Sequence, residues 1–268
     1  MTDYISRYGL EFNPFTKNGK HISFETAESK EVATRLGYLA ETKGFGILTG
    51  SPGLGKTTCS RLWANNLSPS RFRVIYNSLS SLTVMDFYRQ VSLGLGVEPR
   101  FRKSDIFLDI QNEVNRYALE KRVTPVIVID EASMLSHKIL HDLQVMFNFE
   151  MDSRDRAVVL LIGLPQLNVT LNQGIHESLR QRIVMNYQMS GISKEEGRLY
   201  IRAKLEGSGS RQAVFQDNAL EAILNSANGI PRMINKICDR SMMIGASQGK
   251  DIIDAETARK AIEDIQLG

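Results

Sequence analysis

Cysteine is nearly absent: Cys59 and Cys238 are the only two. Two thiols cannot build a disulfide framework, and no metal-type cysteine spacing occurs, so a reducing cytosol is the simplest expectation. The 268 residues include one Trp and seven Pro, with no internal repeat and no low-complexity tract. Charge of one sign is scarce as well. The formal net charge is +3, too small by itself to declare a nucleic-acid binder. Long apolar runs are also missing. The longest, around Val126–Ile129 and Ala157–Ile162, are strand-sized and well short of the roughly 18 residues of a membrane span. The opening Met1-Thr2-Asp3-Tyr4 lacks the basic-then-apolar pattern of a signal peptide. What is present, 42% hydrophobic and 24% charged residues, is globular. A cytoplasmic chain with one large domain and one small one is expected.

Apolar strand-like runs alternate with amphipathic helices, the pattern of a parallel sheet covered by helices. Candidate strands are Phe45–Thr49, Arg73–Ser78, Val126–Asp130, Ala157–Ile162 and Ile183–Gln188. Helical periodicity places Ile106, Ile110, Val114 and Tyr117 on one face, and Ile139, Leu143 and Phe147 on another. After about Gly191 the strand signals stop. Ser193 with Glu196 reads as a capping box, Asp217 and Asp254 as N-caps, and Pro231 as a first helical residue. The fold expected is α/β, a five-stranded parallel sheet flanked by helices over residues 1–190, followed by a small all-helical lid domain over residues 191–268.

Gly50-Ser51-Pro52-Gly53-Leu54-Gly55-Lys56-Thr57 fits G-x-x-x-x-G-K-[ST] between a strand and a helix, the context in which this motif binds phosphate. Its glycines let backbone N–H groups turn inward at a helix N-terminus. Lys56 is expected along the β- and γ-phosphates and Thr57 on Mg²⁺, with Thr58 next in the same turn. The second half of the site is Asp130-Glu131. An acid ending a buried apolar strand is costly unless it meets a cation, so Asp130 is assigned to Mg²⁺. Glu131 is assigned to polarising the attacking water. The strand Arg73–Ser78 lies between the two motifs, as expected when another strand is inserted between them in the sheet. ATP and Mg²⁺ are the expected cofactors.

Two arginine patterns follow, Glu177-Ser-Leu-Arg180-Gln-Arg182-Ile183 and Gly229-Ile-Pro231-Arg232-Met-Ile-Asn235. A planar guanidinium that stays charged suits transition-state stabilisation. Arg182 is the first choice for a finger inserted into a neighbouring copy's site, and Arg180 the second. Arg232 is expected to reach the γ-phosphate from the same chain.

Together Gly50 to Thr57, Val126 to Glu131, Leu179-Arg-Gln-Arg182-Ile and the Gly229 to Asn235 run resemble the AAA+ ATPases. Tyr8-Gly-Leu-Glu-Phe-Asn-Pro14-Phe15 and Leu161-Ile-Gly163-Leu-Pro165-Gln-Leu167 resemble the ExeA-like branch, which includes the transposition regulators TnsC and TniB. The resemblance covers nearly the whole chain. It implies an ATP-bound homo-oligomer, a ring or helical filament on duplex DNA, which recruits or activates a transposase, with a target-selector protein as a further partner. Hydrolysis is then expected to drive disassembly. Secretion members of the branch carry a membrane segment and a wall-binding extension that this sequence does not show, so no membrane partner is expected. A secretion or envelope ATPase and an ATP-gated interaction scaffold without DNA are the alternative readings. Where many AAA+ proteins place a polar sensor this chain has Gly163-Leu164. Gln166 is the expected substitute, with slow turnover as the consequence. Asn77 resembles the residue by which some relatives gate the catalytic Glu.

No zinc finger or basic recognition helix is present, so DNA is expected to be held through phosphates with little sequence preference. The candidates are Arg100, Arg102 and Lys103 around Phe101, in the loop after a helix that begins near Thr83. Arg154 and Arg156 are a second pair, neutralised locally by Asp152 and Asp155. The segment Tyr8–Phe15 and the lid are expected to enclose the adenine. His137 and His141, spaced i, i+4, show no third ligand and read as a helix face. Asn168-Val-Thr170 matches a glycosylation acceptor that has no use in a cytosolic chain.

Overall fold

The computed structural model describes residues 4–16, 22, 24–78, 83–150 and 154–266. Asp152 and the opening Met1-Thr2-Asp3 lie outside them. In chain order the elements are α1 Tyr4–Arg7, α2 Ala27–Thr42, β1 Gly44–Gly50, α3 Lys56–Asn66, β2 Phe72–Asn77, α4 Val84–Leu95, α5 Lys103–Asn115, β3 Thr124–Ile129, α6 His137–Met146, β4 Val158–Gly163, α7 Gln166–Leu171, α8 Glu177–Arg180, β5 Ile183–Met189, α9 Lys194–Gly207, α10 Asp217–Ala227, α11 Pro231–Ser247 and α12 Ala255–Gln266. They group into an α/β unit, Glu31–Pro52 with Lys56–Met189, and a helical unit. The helical unit combines Ser190–Gly268 with Met1–Lys30 and Gly53–Gly55. The described residues before 31 therefore group with the carboxy-terminal helices, whereas the sequence reading placed them with the α/β part.

All strand pairs in the α/β unit are parallel, in the order β2-β3-β4-β1-β5. The register pairs Thr49 with Gly163 and Asn77 with Ile129. The carboxy-terminal ends of four strands thus share one edge, the place where open α/β sheets bind ligands. The strand inserted between the two phosphate-site strands is β4, not the Arg73–Ser78 strand. The burial pattern explains this: every residue of β4 is buried, while β2 exposes Arg73 and Tyr76 and so suits the sheet edge. One face of the sheet, with Phe45, Ile47, Ile127, Ile129, Val159 and Leu161, shares a core with helix residues. These include Phe87, Val91, Ile106, Ile110, Ile139 and Leu143. The expected helix stripes are therefore core contacts, each fully buried aliphatic side chain contributing about 1.5–3 kcal/mol.

In the helical unit Ser193 and Glu196 form the reciprocal capping box, and Pro231 opens α11. Asp254 Oδ1 accepts from Thr257 N at 2.9 Å, an N-cap bond. Asp217 is not an N-cap but the first residue of α10, after Gln216. Gln216 N donates to Ile253 O at 2.9 Å and holds that residue extended, so the helix starts one position later. Tyr8, Leu10 and Phe15 are buried in this unit's core with Ile201, Ile234, Ile237 and Met242. These three side chains are used in packing within the helical unit. Among the described residues no helix is long and apolar enough to cross a membrane.

The start of α9 is stitched at two points. The buried Glu28 carboxylate accepts from Gly191 N at 3.0 Å, and Ile192 N donates to Gly229 O at 2.9 Å. Gly229 has φ +71, and a Cβ there would lie 2.6 Å from Ile192 O, a backbone atom that cannot swing aside. Gly229→Ala is expected to cost about 2 kcal/mol or more, since the left-handed conformation alone costs ~1–2. Thermal unfolding checks this; an unchanged Tm would contradict the close approach.

Candidate functional site

β1 ends at Gly50 and α3 begins at Lys56. Between them Gly53 and Gly55 have φ +87 and +101, a region that only glycine enters cheaply. The loop can therefore reverse its peptides and present N–H groups that the first turn of α3 leaves without intrahelical partners. The Lys56 ammonium donates to Gly50 O at 2.7 Å and Ser51 O at 3.0 Å, which places it across the loop. Within the helical unit, Arg232 N donates to Gly53 O at 3.3 Å, and a Cβ on Gly53 would meet Arg232 Cβ at 2.7 Å. Pro231 at the first helical position sets Arg232 there.

Asp130 is 7% exposed, and its carboxylate is held from three sides. Thr57 Oγ1 donates to Oδ2 at 2.8 Å, Tyr76 OH donates to the same oxygen at 2.9 Å, and Glu131 N donates to Oδ1 at 2.9 Å. Its own N–H goes to Asn77 O at 2.9 Å. The buried Asn77 thus ends β2 against Asp130, on the edge where a gate for Glu131 was expected. Burial, and then the bond to Asp130, push the Tyr76 phenol up to about 12, so at neutral pH it is a donor. Thr57 and Asp130 together form a hydroxyl–carboxylate pair, hard oxygen donors that fit Mg²⁺. The loop and Lys56 fit a polyphosphate.

Glu131 has φ 54 and ψ 32, a left-handed conformation in a non-glycine residue. Such a backbone costs on the order of 1–3 kcal/mol and collects at functional sites. It turns the chain sharply out of β3 and leaves Glu131 exposed beside the buried Asp130.

The polar residue reaching the end of β1 is not Gln166. Gln166 is exposed at the start of α7. Asn168 Nδ2 instead donates to the buried Thr49 Oγ1 at 3.0 Å. The sequence signal was an amide within a turn of the β4 end, which the glycosylation pattern obscured. Tyr76 was missed because an exposed edge-strand aromatic carries no motif.

Arg182 and Arg180 lie just before the amino end of β5. Arg182 Nη1 donates to Gln144 O at 2.9 Å, and burial pulls its pKa down. Arg180 is exposed, with Nη1 on Asn172 O at 3.1 Å. The basic cluster is only partly in a loop, because Lys103 opens α5. Lys103 pairs with Asp142 at 2.6 Å and Arg100 with Asp109 at 2.8 Å. Arg102 and Phe101 are exposed, Phe101 at 93%. Arg154 and Arg156 are balanced by Glu150, not Asp155. Burial raises the pKa of Asp155.

His137 and His141 are both exposed on α6, as the helix-face reading has it, and His137 makes one further contact. Its Nδ1 lies 2.8 Å from His176 Nε2, and the rings stack at 5.0 Å. His176 is 39 residues further along the chain, so helical spacing could not reveal it. Among the described residues no group of three His, Cys, Asp or Glu is placed to hold a metal. Burial, then His137 and His141, lower the pKa of His176. A depressed folded pKa means that the unfolded chain binds the proton first. The stabilisation is therefore complete above about pH 6.5, the unfolded value, and is lost as pH falls below it. Denaturant titrations between about pH 7 and 5.5 should show this decline, and His176→Gln should flatten it. A slope equal in both proteins would refute the assignment.

Residues 39–171 match the family model of an AAA domain. General secretion pathway protein A of Aeromonas hydrophila is 32% identical over 257 residues, 92% of this chain. The chain spans 45% of that relative's length. Among solved structures, Cdc6p of Pyrobaculum aerophilum superposes with a TM-score of 0.69 at 16% identity, over 92% of this chain and 69% of that one. The ORC1 protein of Aeropyrum pernix, solved in complex with DNA, gives a TM-score of 0.65 at 16% identity, over 94% and 68% of the two chains. The strand order, the phosphate loop and the hydroxyl–carboxylate pair agree with these matches: the chain is similar to AAA domains over residues 39–171 and has the P-loop AAA+ fold.

Proposed function

We propose that this chain is an ATP hydrolase that assembles with further copies of itself on duplex DNA when ATP is bound and disassembles after hydrolysis, regulating DNA transposition. The observation that carries the ATPase reading is the bond from Thr57 Oγ1 to Asp130 Oδ2 at 2.8 Å, with Lys56 across the loop and Glu131 exposed alongside. Loop N–H groups and Lys56 bind the phosphates, and Thr57 and Asp130 hold Mg²⁺. When bound, that cation draws charge off the β- and γ-phosphate oxygens. Glu131 accepts the proton of the attacking water. Arg182 or Arg180 serves a neighbouring copy's site, and Arg232 reads the γ-phosphate. Arg180 starts from the more exposed position, while Arg182 must first release Gln144 O.

The transposition reading rests on the resemblance to the ExeA-like branch, which includes the TnsC and TniB regulators, and it implies a transposase and a target selector as partners. A DNA partner is supported by the likeness to an ORC1 protein solved with DNA, with Arg100, Arg102, Lys103 and Arg154 as candidate phosphate contacts. A second reading, a secretion-type ATPase without DNA, is favoured by the identity to General secretion pathway protein A. A gel-shift series with ATP and increasing salt separates them: a salt-sensitive, ATP-dependent shift of duplex DNA supports the first, and no shift at low salt rejects it.

Lys56→Ala is expected to weaken ATP binding more than tenfold by calorimetry; undiminished affinity would refute the cradle. Glu131→Gln is expected to keep ATP binding, lower turnover by about 10²-fold or more and leave the assembled form trapped. Wild-type turnover in that variant would remove Glu131 from catalysis.

A further inference from the structure

Asp130 is gripped from the edge strand as well as from the phosphate loop. Two hydroxyls, Thr57 Oγ1 and Tyr76 OH, converge on Oδ2 at 2.8 and 2.9 Å. The first belongs to the expected Mg²⁺ site. The second comes from β2, the strand at the sheet edge, and no nucleotide-binding motif contains it.

The Tyr76 side chain is 55% exposed while the carboxylate residue it touches is 7% exposed. A tyrosine retained for packing would bury its ring and leave its hydroxyl to water. Here the residue is about half exposed and its hydroxyl meets a buried acid. β2 also holds Asp130 a second time, through Asn77 O and Asp130 N at 2.9 Å. The end of this strand therefore fixes both the backbone and the carboxylate of Asp130.

An ionised carboxylate offers about four acceptor positions. Thr57, Tyr76 and Glu131 N occupy three, which leaves one for the hydration shell of a divalent cation. The terminal torsion of an aspartate is broad, so a carboxylate that loses one of these bonds gains rotational freedom. It would then meet the cation in a wider spread of orientations.

We propose that Tyr76 is a positioning residue for the cation site, holding the Asp130 carboxylate in the orientation that also engages Thr57 and thereby setting the protein's affinity for Mg²⁺ in the nucleotide complex. This rests on the nucleotide-site reading above. Tyr76 acts through Asp130 and does not itself contact phosphate.

Tyr76→Phe keeps the ring and the strand propensity and removes only the hydroxyl. The test is binding of a fluorescent ATP analogue to the wild type and to this variant, first in EDTA and then across a Mg²⁺ titration. The expected result is EDTA affinity within twofold of wild type, with the half-saturating Mg²⁺ concentration raised about tenfold. A Mg²⁺ dependence that coincides with wild type overturns the inference. So does an affinity loss of equal size in EDTA and in Mg²⁺, because a purely structural role would produce that. If the wild type itself binds the analogue with no response to Mg²⁺, the cation-site reading fails first, and the inference with it.

Discussion

A carboxylate at the end of a buried strand is the constraint on which the site depends. Asp130 follows β3, flanked by strands on both sides, where an ionised acid without partners would be expelled or protonated. The chain answers with three donors from three segments: the first turn of α3, the edge strand and the next peptide. Each requirement propagates. Thr57 can reach Asp130 only if the loop turns tightly enough to start α3 at Lys56, and that turn needs left-handed glycines. Glu131 can offer its N–H to Asp130 only with the chain bent away from β3, and its backbone takes up that strain.

The insertion of β4 between β1 and β3 serves the same purpose. It separates the phosphate loop from the acidic pair by one strand at the carboxy-terminal edge of the sheet. Gly163 ends β4 at that edge, where a Cβ would lie 2.9 Å from Ser133 N. The backbone after β3 thus passes so close that no side chain fits at this position. That is a physical reason for the missing polar sensor, and Asn168 supplies an amide to Thr49 from the next helix instead.

Much of this was readable from the sequence, and the parts that were not have a common cause. All five strands were found within two residues; β1, β3 and β4 are strand-sized, largely apolar and almost wholly buried, while β2 and β5 carry interrupted runs. Lys56, Thr57 and Asp130 could be singled out because phosphate and cation chemistry calls for those residue types beside a glycine loop and at a strand end, and the structure joins Thr57 to Asp130. What escaped depends on contacts between distant segments. His176 joins His137 only once α6 and the turn before α8 pack together. Tyr76 meets Asp130 only because β2 pairs with β3. Glu150, not Asp155, balances Arg154 and Arg156 among the described residues. The start of α10 slipped by one residue because a long-range bond at Gln216 overrode a good local cap.

The helical unit joins described residues before 31 to those from Ser190 onward. Arg7 Nε donates to Lys250 O across 243 positions, and Tyr8 lies in a core that includes Met242 and Ile253. At ribosomal rates of about 5–20 residues per second, Tyr8, Leu10 and Phe15 emerge roughly ten to fifty seconds before partners such as Met242 and Ile253 exist. Their apolar surface stays without its core for that interval of translation.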